Sequence, residues 1–259
     1  MHCCTGGTGA WKEQVKCAYE SDEMAAAMEG SLHPGGLKLT ERTIEAAKPV
    51  KGARILELAC GRGTTTHFLT TNYDCLVYGI DLSVKSLLSA RGTCPGGDRE
   101  FFIAADVEKL PFTDRCFDMI LCECSFSLLP DKQSSAREIF RVLKPGGKFV
   151  MTDMVIQGDP AAMAELRQSM PAPSMFSSCL ADALTIEDYI NVLHQCGMKN
   201  TLVEDHSSEL RQLTFKLFTD PRTSDLFKGH RKPGEGGFLN AVKKLKPGYY
   251  LLVFTKEDN

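Results

Sequence analysis

Four short groups of residues in this sequence have types and spacing suited to holding a nucleoside. Glu57-Leu58-Ala59-Cys60-Gly61-Arg62-Gly63 follows the apolar run Arg54-Ile55-Leu56 and precedes Thr64-Thr65-Thr66. Two glycines and an alanine give this turn little bulk, so its backbone can approach a ligand closely. Asp81 comes eighteen residues after Gly63, at the end of Leu76-Val77-Tyr78-Gly79-Ile80. A carboxylate there can accept two hydrogen bonds from a ribose diol, as at the rim of an open α/β sheet. Asp106 and Val107 follow Phe101 to Ala104, where the acid can accept from an adenine amino group. The fourth group, Leu143-Lys144-Pro145-Gly146-Gly147, reads as a helix stop and a turn into Lys148-Phe149. The glycine turn alone is weak; the four groups in order are specific.

A dinucleotide site is the competing reading. Its G-x-G-x-x-G pattern would place a third glycine at position 66, which is Thr66. Glu57, just before the turn, would also repel a pyrophosphate, whereas a ribose and a cationic centre tolerate it. The residues therefore argue against a dinucleotide site.

The elements that must position these groups alternate. Strand patterns at 54–58, 76–81, 101–104, 118–122 and 148–152 are separated by helical patterns at 64–71, 83–91 and 131–143. Such alternation predicts a parallel sheet covered on both faces. Leu37 to Ala47 reads as a helix with Thr40 as its cap and Leu39, Ile44 and Ala47 on one face. Ser83 and Thr185 are expected caps, and Gly197 an expected helix stop. Beyond residue 155 the rhythm loosens: a helix opens at Asp159-Pro160, 171–180 is loop-like, 199–204 is a strand, 207–219 a helix and 249–255 a last strand. Residues 21–30 read as a short helix.

Composition bounds the rest. The chain has 259 residues, 43% of them hydrophobic, with 30 Lys+Arg against 33 Asp+Glu and a formal net charge of −3. That balance argues against a nucleic-acid or polybasic membrane partner, and no apolar run reaches the ~18 residues of a membrane span. Eleven cysteines without a secretory leader fit free thiols in a cytoplasmic protein.

On these motifs the chain resembles the class I S-adenosylmethionine-dependent methyltransferases, especially the branch that includes the ubiquinone/menaquinone and arsenite enzymes. The likeness covers roughly residues 37–155. Glu57-x-Ala59-x-Gly61-x-Gly63 looks like their first motif, with Ala59 in place of the leading glycine. Asp81 sits at their ribose acid, Ala105-Asp106-Val107 with Leu110-Pro111-Phe112 at their adenine-side motif, and Leu143 to Gly147 at their "L-K-P-G-G" turn. The resemblance implies a Rossmann-like αβα sandwich of the α/β class, with a seven-stranded, mostly parallel sheet whose last strand is antiparallel. It implies a methyltransferase domain over 37–259 with a helical insertion around 156–198, preceded by a cysteine- and glycine-rich arm and helical lid over 1–36. It implies S-adenosyl-L-methionine as cofactor, bound by Glu57, Ala59, Gly61, Gly63, Asp81, Leu82, Asp106, Val107 and Glu123, with Glu57 near the methionyl end.

The acceptor is expected to be a small molecule entering over residues 123–130, with Glu123 or Cys124 facing the methyl. No resident metal is expected, and neither a catalytic base nor the oligomeric state is legible. Cys122 and Cys124, two apart on a strand, are expected to share one face and pack; the sharper alternative is a soft-ligand site for a metalloid, joined by Cys3 and Cys4 from the arm. An accessory protein that binds the cofactor without transferring it is the other alternative. His67 is expected to pack, His33 to serve a turn between arm and core, and Tyr19 to be placed where an arm aromatic could cover the cofactor. Trp11 is a candidate lid or partner contact. The lysines and arginine of 228–232 and 243–246 read as solvated surface.

Overall fold

In the computed structural model, residues 12, 13, 15, 16, 19, 20, 33–93, 97–169, 179–220 and 236–257 are described. Cys3, Cys4, Trp11, Cys17, the expected helix at 21–30, most of the loop at 171–180 and the basic run 228–232 lie outside them. The elements in chain order are α1 (Gly36–Ala47), β1 (Ala53–Leu58), α2 (Thr64–Asn72), β2 (Cys75–Asp81), α3 (Val84–Thr93), β3 (Glu100–Ala104) and β4 (Phe117–Glu123). A 3₁₀ turn at Phe126–Leu128 leads to α4 (Lys132–Val142), β5 (Leu143–Ile156), α5 (Ala162–Ser169), α6 (Ile186–His194), β6 (Met198–Asp205), α7 (Ser207–Thr219), α8 (Gly236–Leu245) and β7 (Pro247–Lys256).

The seven strands form one sheet in the order β3-β2-β1-β4-β5-β7-β6. β7 runs antiparallel to both β5 and β6, and the other pairings are parallel. Alternation along the strands sorts side chains to the two faces. Leu56, Leu58, Ile120, Cys122, Phe149 and Met151 pack with Ile139 of α4 and Tyr189 and Leu193 of α6. Ile55, Met119, Leu121 and Val150 pack on the other face with Ile44 of α1 and Leu69 of α2. A further apolar cluster joins the ends of β5 and β7 (Met154, Ile156, Tyr249) to Leu166 of α5 and Leu245 of α8.

The caps follow the sequence at Ser83, whose hydroxyl accepts from the Ser86 amide at 3.0 Å, and at Thr185, which accepts from Asp188 at 3.1 Å. Asp131 caps α4 by accepting from the Ser134 amide. Thr40 is not a cap. Gly35, in a left-handed conformation (φ 79°), precedes the helix start and leaves Thr40 in the helix interior. The "L-K-P-G-G" segment is also not a plain turn ahead of a strand. β5 already begins at Leu143, paired with Phe117, and its register then slips so that Lys148 pairs with Met119. Gly146 (φ 69°) supplies the left-handed residue this irregularity uses.

Candidate functional site

The strand order reverses between β1 and β4, and in open α/β sheets the crevice at such a switch point, beyond the carboxyl ends of the strands, is where ligands bind. Here that crevice is open to solvent and spans about 1210 Å³ of space, the solvent at its mouth included. Its wall contains every site residue singled out from the sequence except Gly63: Glu57, Ala59, Gly61, Asp81, Leu82, Asp106, Val107 and Glu123. The carboxylates come from the ends of β1, β2 and β4 and from the loop after β3.

The glycine turn shows two different needs. Gly61 is left-handed (φ +54°), and a Cβ there would meet nothing within 4 Å, so its missing side chain keeps space in the cavity open. Gly63 is needed for packing instead. A Cβ on it would come 2.7 Å from Phe102 Cζ and 3.0 Å from Ala90, and its φ is +75°. Ala59 holds φ 54°, a conformation that costs a non-glycine residue roughly 1–2 kcal/mol.

Asp81 ties the turn to the next loop. Its two carboxylate oxygens accept from the Gly61 amide at 2.8 Å and the Ser83 amide at 2.7 Å. Burial pushes its pKa upward despite those amides. Glu57 is buried and accepts from Thr66 Oγ1. Its pKa is raised to about 8, first by burial and then by the charges of Glu123 and Asp81. Glu123 draws three distant segments together. It accepts from Thr40 Oγ1 at 2.8 Å and from Thr65 Oγ1 at 2.9 Å, and His33 Nε2 lies 3.3 Å from its carboxylate. His33 is therefore more than a turn residue: it is buried and borders the cavity.

The arm also reaches the site. Lys12 Nζ contacts Asp106 at 2.7 Å and Glu108 at 2.6 Å. Glu20 accepts from Ser83 Oγ, and its carbonyl accepts from Lys85 Nζ at 3.0 Å. Tyr19 lines the cavity and hydrogen-bonds Cys179. None of these partners of the arm was legible, because they lie 63 to 160 residues away in sequence. The run Thr64-Thr65-Thr66 was a usable signal: hydroxyls just after the glycine turn reach both buried acids.

Beyond β4 the cavity is bounded by Cys124, Ser125, Leu128, Leu129 and Pro130. The 3₁₀ turn here is fixed from below by Asp153, fully buried, which accepts from the Ser127 amide at 2.8 Å. Cys122 and Cys124 do not share a face. Cys122 packs in the sheet core, with its sulfur 3.1 Å from Ser125 Oγ. Cys124 lies past the strand end in a left-handed conformation (φ 52°), which breaks the two-residue alternation and sends its side chain into the cavity wall. His67 does not pack either. It is half-exposed, with Nδ1 3.0 Å from Glu100. Among the described residues no group of three or more His, Cys, Asp or Glu side chains could hold a metal ion, and no helix is long and apolar enough to cross a membrane.

A family model described as a methyltransferase domain matches residues 49–201, which takes in β1 through the start of β6. The 27-O-demethylrifamycin SV methyltransferase of Amycolatopsis mediterranei (strain S699) is 27% identical over 263 residues, spanning 96% of this chain and 92% of that one. The demethylmenaquinone methyltransferase of Clavibacter sepedonicus is 32% identical over 58% of this chain and 61% of its own. Geranyl diphosphate methyltransferase, solved with GPP and sinefungin, superimposes with a TM-score of 0.76 at 15% identity, covering 95% of this chain and 99% of that one. Phosphoethanolamine N-methyltransferase 2 of Haemonchus contortus, solved with S-adenosyl-L-methionine, superimposes with a TM-score of 0.72 at 17% identity, covering 96% and 60%. A sheet of this order, its crevice at the β1/β4 reversal and a family model running through both have one reading: the chain belongs to the class I methyltransferases that use S-adenosylmethionine.

Proposed function

We propose that the chain moves a methyl group to a small-molecule acceptor, with the cofactor held by Glu57, Ala59, Gly61, Asp81, Leu82, Asp106, Val107 and Glu123, Gly63 shaping the turn from behind the wall, and the acceptor seated against Tyr19, Cys124, Leu128, Leu129 and Pro130. The single observation that carries this reading is convergence. Four carboxylates from successive strand ends face one cavity, and the missing side chain of Gly61 leaves its backbone open to a ligand.

The residues suit the group. S-adenosylmethionine, when bound, supplies an electrophilic methyl on a cationic sulfur. Glu57 and Glu123 put two carboxyl groups at one end of the cavity, and Glu57, held protonated up to about pH 8 by burial, ionises against a cationic ligand. Asp81 keeps lone pairs for a ribose diol beside the two amides it already accepts from, and Asp106 stands at the other end with Val107 as an apolar neighbour. Methyl transfer asks the protein mainly for position, and a held near-attack geometry is worth roughly 7–11 kcal/mol. Tyr19 and the Leu128–Pro130 wall orient the acceptor and exclude water. Where the acceptor nucleophile carries a proton, the His33–Glu123 pair on the cavity wall is placed to receive it.

Residues 1–36 act in this proposal as an arm and lid, through Lys12, Tyr19 and Glu20, over a methyltransferase domain at 37–259 with its helical insertion at 156–198. The seven described cysteines are not joined in disulfides, which suits a reducing, cytoplasmic setting. The test is production of S-adenosylhomocysteine by the purified chain across a panel of alcohols, phenols, amines and carbon nucleophiles. Turnover with at least one class is expected. Cofactor binding without turnover on any class overturns the transfer reading.

A further inference from the structure

Resting on that acceptor reading, we propose that Cys124, in the acceptor wall, and Cys179, buried behind it, are an oxidative modification site: a thiol pair that closes into a reversible disulfide and stops methyl transfer.

Three observations carry it. The two sulfurs lie 3.8 Å apart, at van der Waals contact, across 55 residues of sequence. A disulfide needs about 2.05 Å, so closure asks for a movement of under 2 Å. Cys124 is turned toward Cys179 by its left-handed backbone (φ 52°), a conformation that costs energy in a non-glycine residue and clusters at functional positions. Cys124 also borders the cavity, so a small oxidant entering there reaches it first, and Cys179 stands behind it as the resolving thiol. The remaining described cysteines differ, and Cys116 and Cys196 are half-buried and outside the cavity wall. Cys122 is engaged with Ser125 in the core, and Cys75 points at the Leu69 and Tyr73 carbonyls. Cys60 borders the same cavity and serves as an internal reference for oxidant access.

The oxidant is a hydroperoxide. The Cys124 sulfur attacks one peroxide oxygen, the O–O bond breaks, and with hydrogen peroxide a sulfenic acid and water result. The Cys179 sulfur then attacks the sulfenic sulfur, the S–S bond forms and a second water leaves. Two thiols are oxidised by two electrons, and the peroxide is reduced by two. An added dithiol reverses the bond by exchange. Cys179 and burial hold the Cys124 thiol protonated above the usual range, so oxidation is slow near neutral pH and quickens as the pH rises. The bond also removes the Cys179 S–H from its contact with Tyr19, leaving only a weak sulfur acceptor there, and reshapes the wall Tyr19 shares with the acceptor.

The experiment treats the full-length protein with hydrogen peroxide at several pH values from about 7.5 to 10, then maps peptides and assays transfer and cofactor binding. Expected are a peptide pair joining Cys124 to Cys179 with loss of two hydrogens, a drop in transfer of about tenfold or more that dithiothreitol restores, and cofactor affinity within about threefold of the untreated protein. Cys179→Ser keeps the Tyr19 contact and is expected to keep basal transfer and resist the peroxide. Oxidation of Cys60 without a Cys124–Cys179 peptide overturns the site. A joined peptide with unchanged transfer, or equal loss in Cys179→Ser, overturns the switch. The peptide map needs no acceptor, so failure of the acceptor panel and failure of this site are read separately.

Discussion

Lys12 and Asp106 form an ion pair at 2.7 Å across 94 residues, and Lys12 reaches Glu108 as well. This places an arm residue on the acid proposed for the adenine end of the cofactor. Partly exposed pairs of this kind are worth about 0.2–1 kcal/mol each. Lys12→Ala is therefore expected to speed cofactor dissociation by roughly two- to tenfold in stopped-flow measurements. It is also expected to flatten the dependence of that rate on salt. An unchanged rate would detach the arm from cofactor retention.

Glu57 gives the site a pH response whose sign is fixed. Its pKa in the folded, ligand-free protein is about 8, against 4.5 ordinarily. The folded state thus holds a proton that the unfolded state releases, and stability contributed by this group falls as pH rises from about 4.5 to 8. A cationic ligand favours the ionised carboxylate, so cofactor affinity is expected to rise with pH and level off above about 8. Glu57→Gln removes both slopes. Calorimetric dissociation constants and thermal midpoints between pH 6 and 9 measure them, and a wild-type affinity flat with pH would reject the assignment.

Asp81→Ala removes a carboxylate that organises the Gly61 and Ser83 amides and is proposed to hold the ribose. Loss of a charge-assisted hydrogen bond costs about 1–3 kcal/mol. Cofactor binding is expected to weaken by roughly ten- to a hundredfold in calorimetry, and an intact dissociation constant would refute the ribose role.

Gly61 and Gly63 should separate binding from folding. Gly63→Ala forces a Cβ onto Phe102 in a left-handed residue and is expected to destabilise by about 2–4 kcal/mol, seen as a lower thermal midpoint. Gly61→Ala meets open space, so it is expected to cost about 1–2 kcal/mol of stability from backbone strain while reducing cofactor affinity more strongly than Gly63→Ala does in its folded fraction. Equal behaviour of the two variants would contradict the division of roles.

The local pattern was enough to place Glu57, Asp81 and Asp106 at strand ends, because strand, turn and helix signals each act over a few residues and repeat through the chain. The antiparallel β7 was legible only through resemblance, since its own residues carry no mark of direction. Where local rules met a tertiary demand, they failed. Thr40 reads as a cap, yet its hydroxyl serves Glu123 from inside a helix. Cys122 and Cys124 read as one face, yet the strand ends between them and the backbone inverts at Cys124.

By itself the sequence determined the alternating sheet, the glycine turn and the acids at its rim, because burial periodicity and turn chemistry are written within short windows. Tertiary structure alone decided which side chains those acids meet: Thr40, Thr65 and His33 on Glu123, Lys12 on Asp106, Cys179 on Cys124. Such partners are chosen by how helices and the arm pack across the carboxyl ends of the strands, over separations of 55 to 94 residues. A pattern in a short window holds no information about a contact made at that distance.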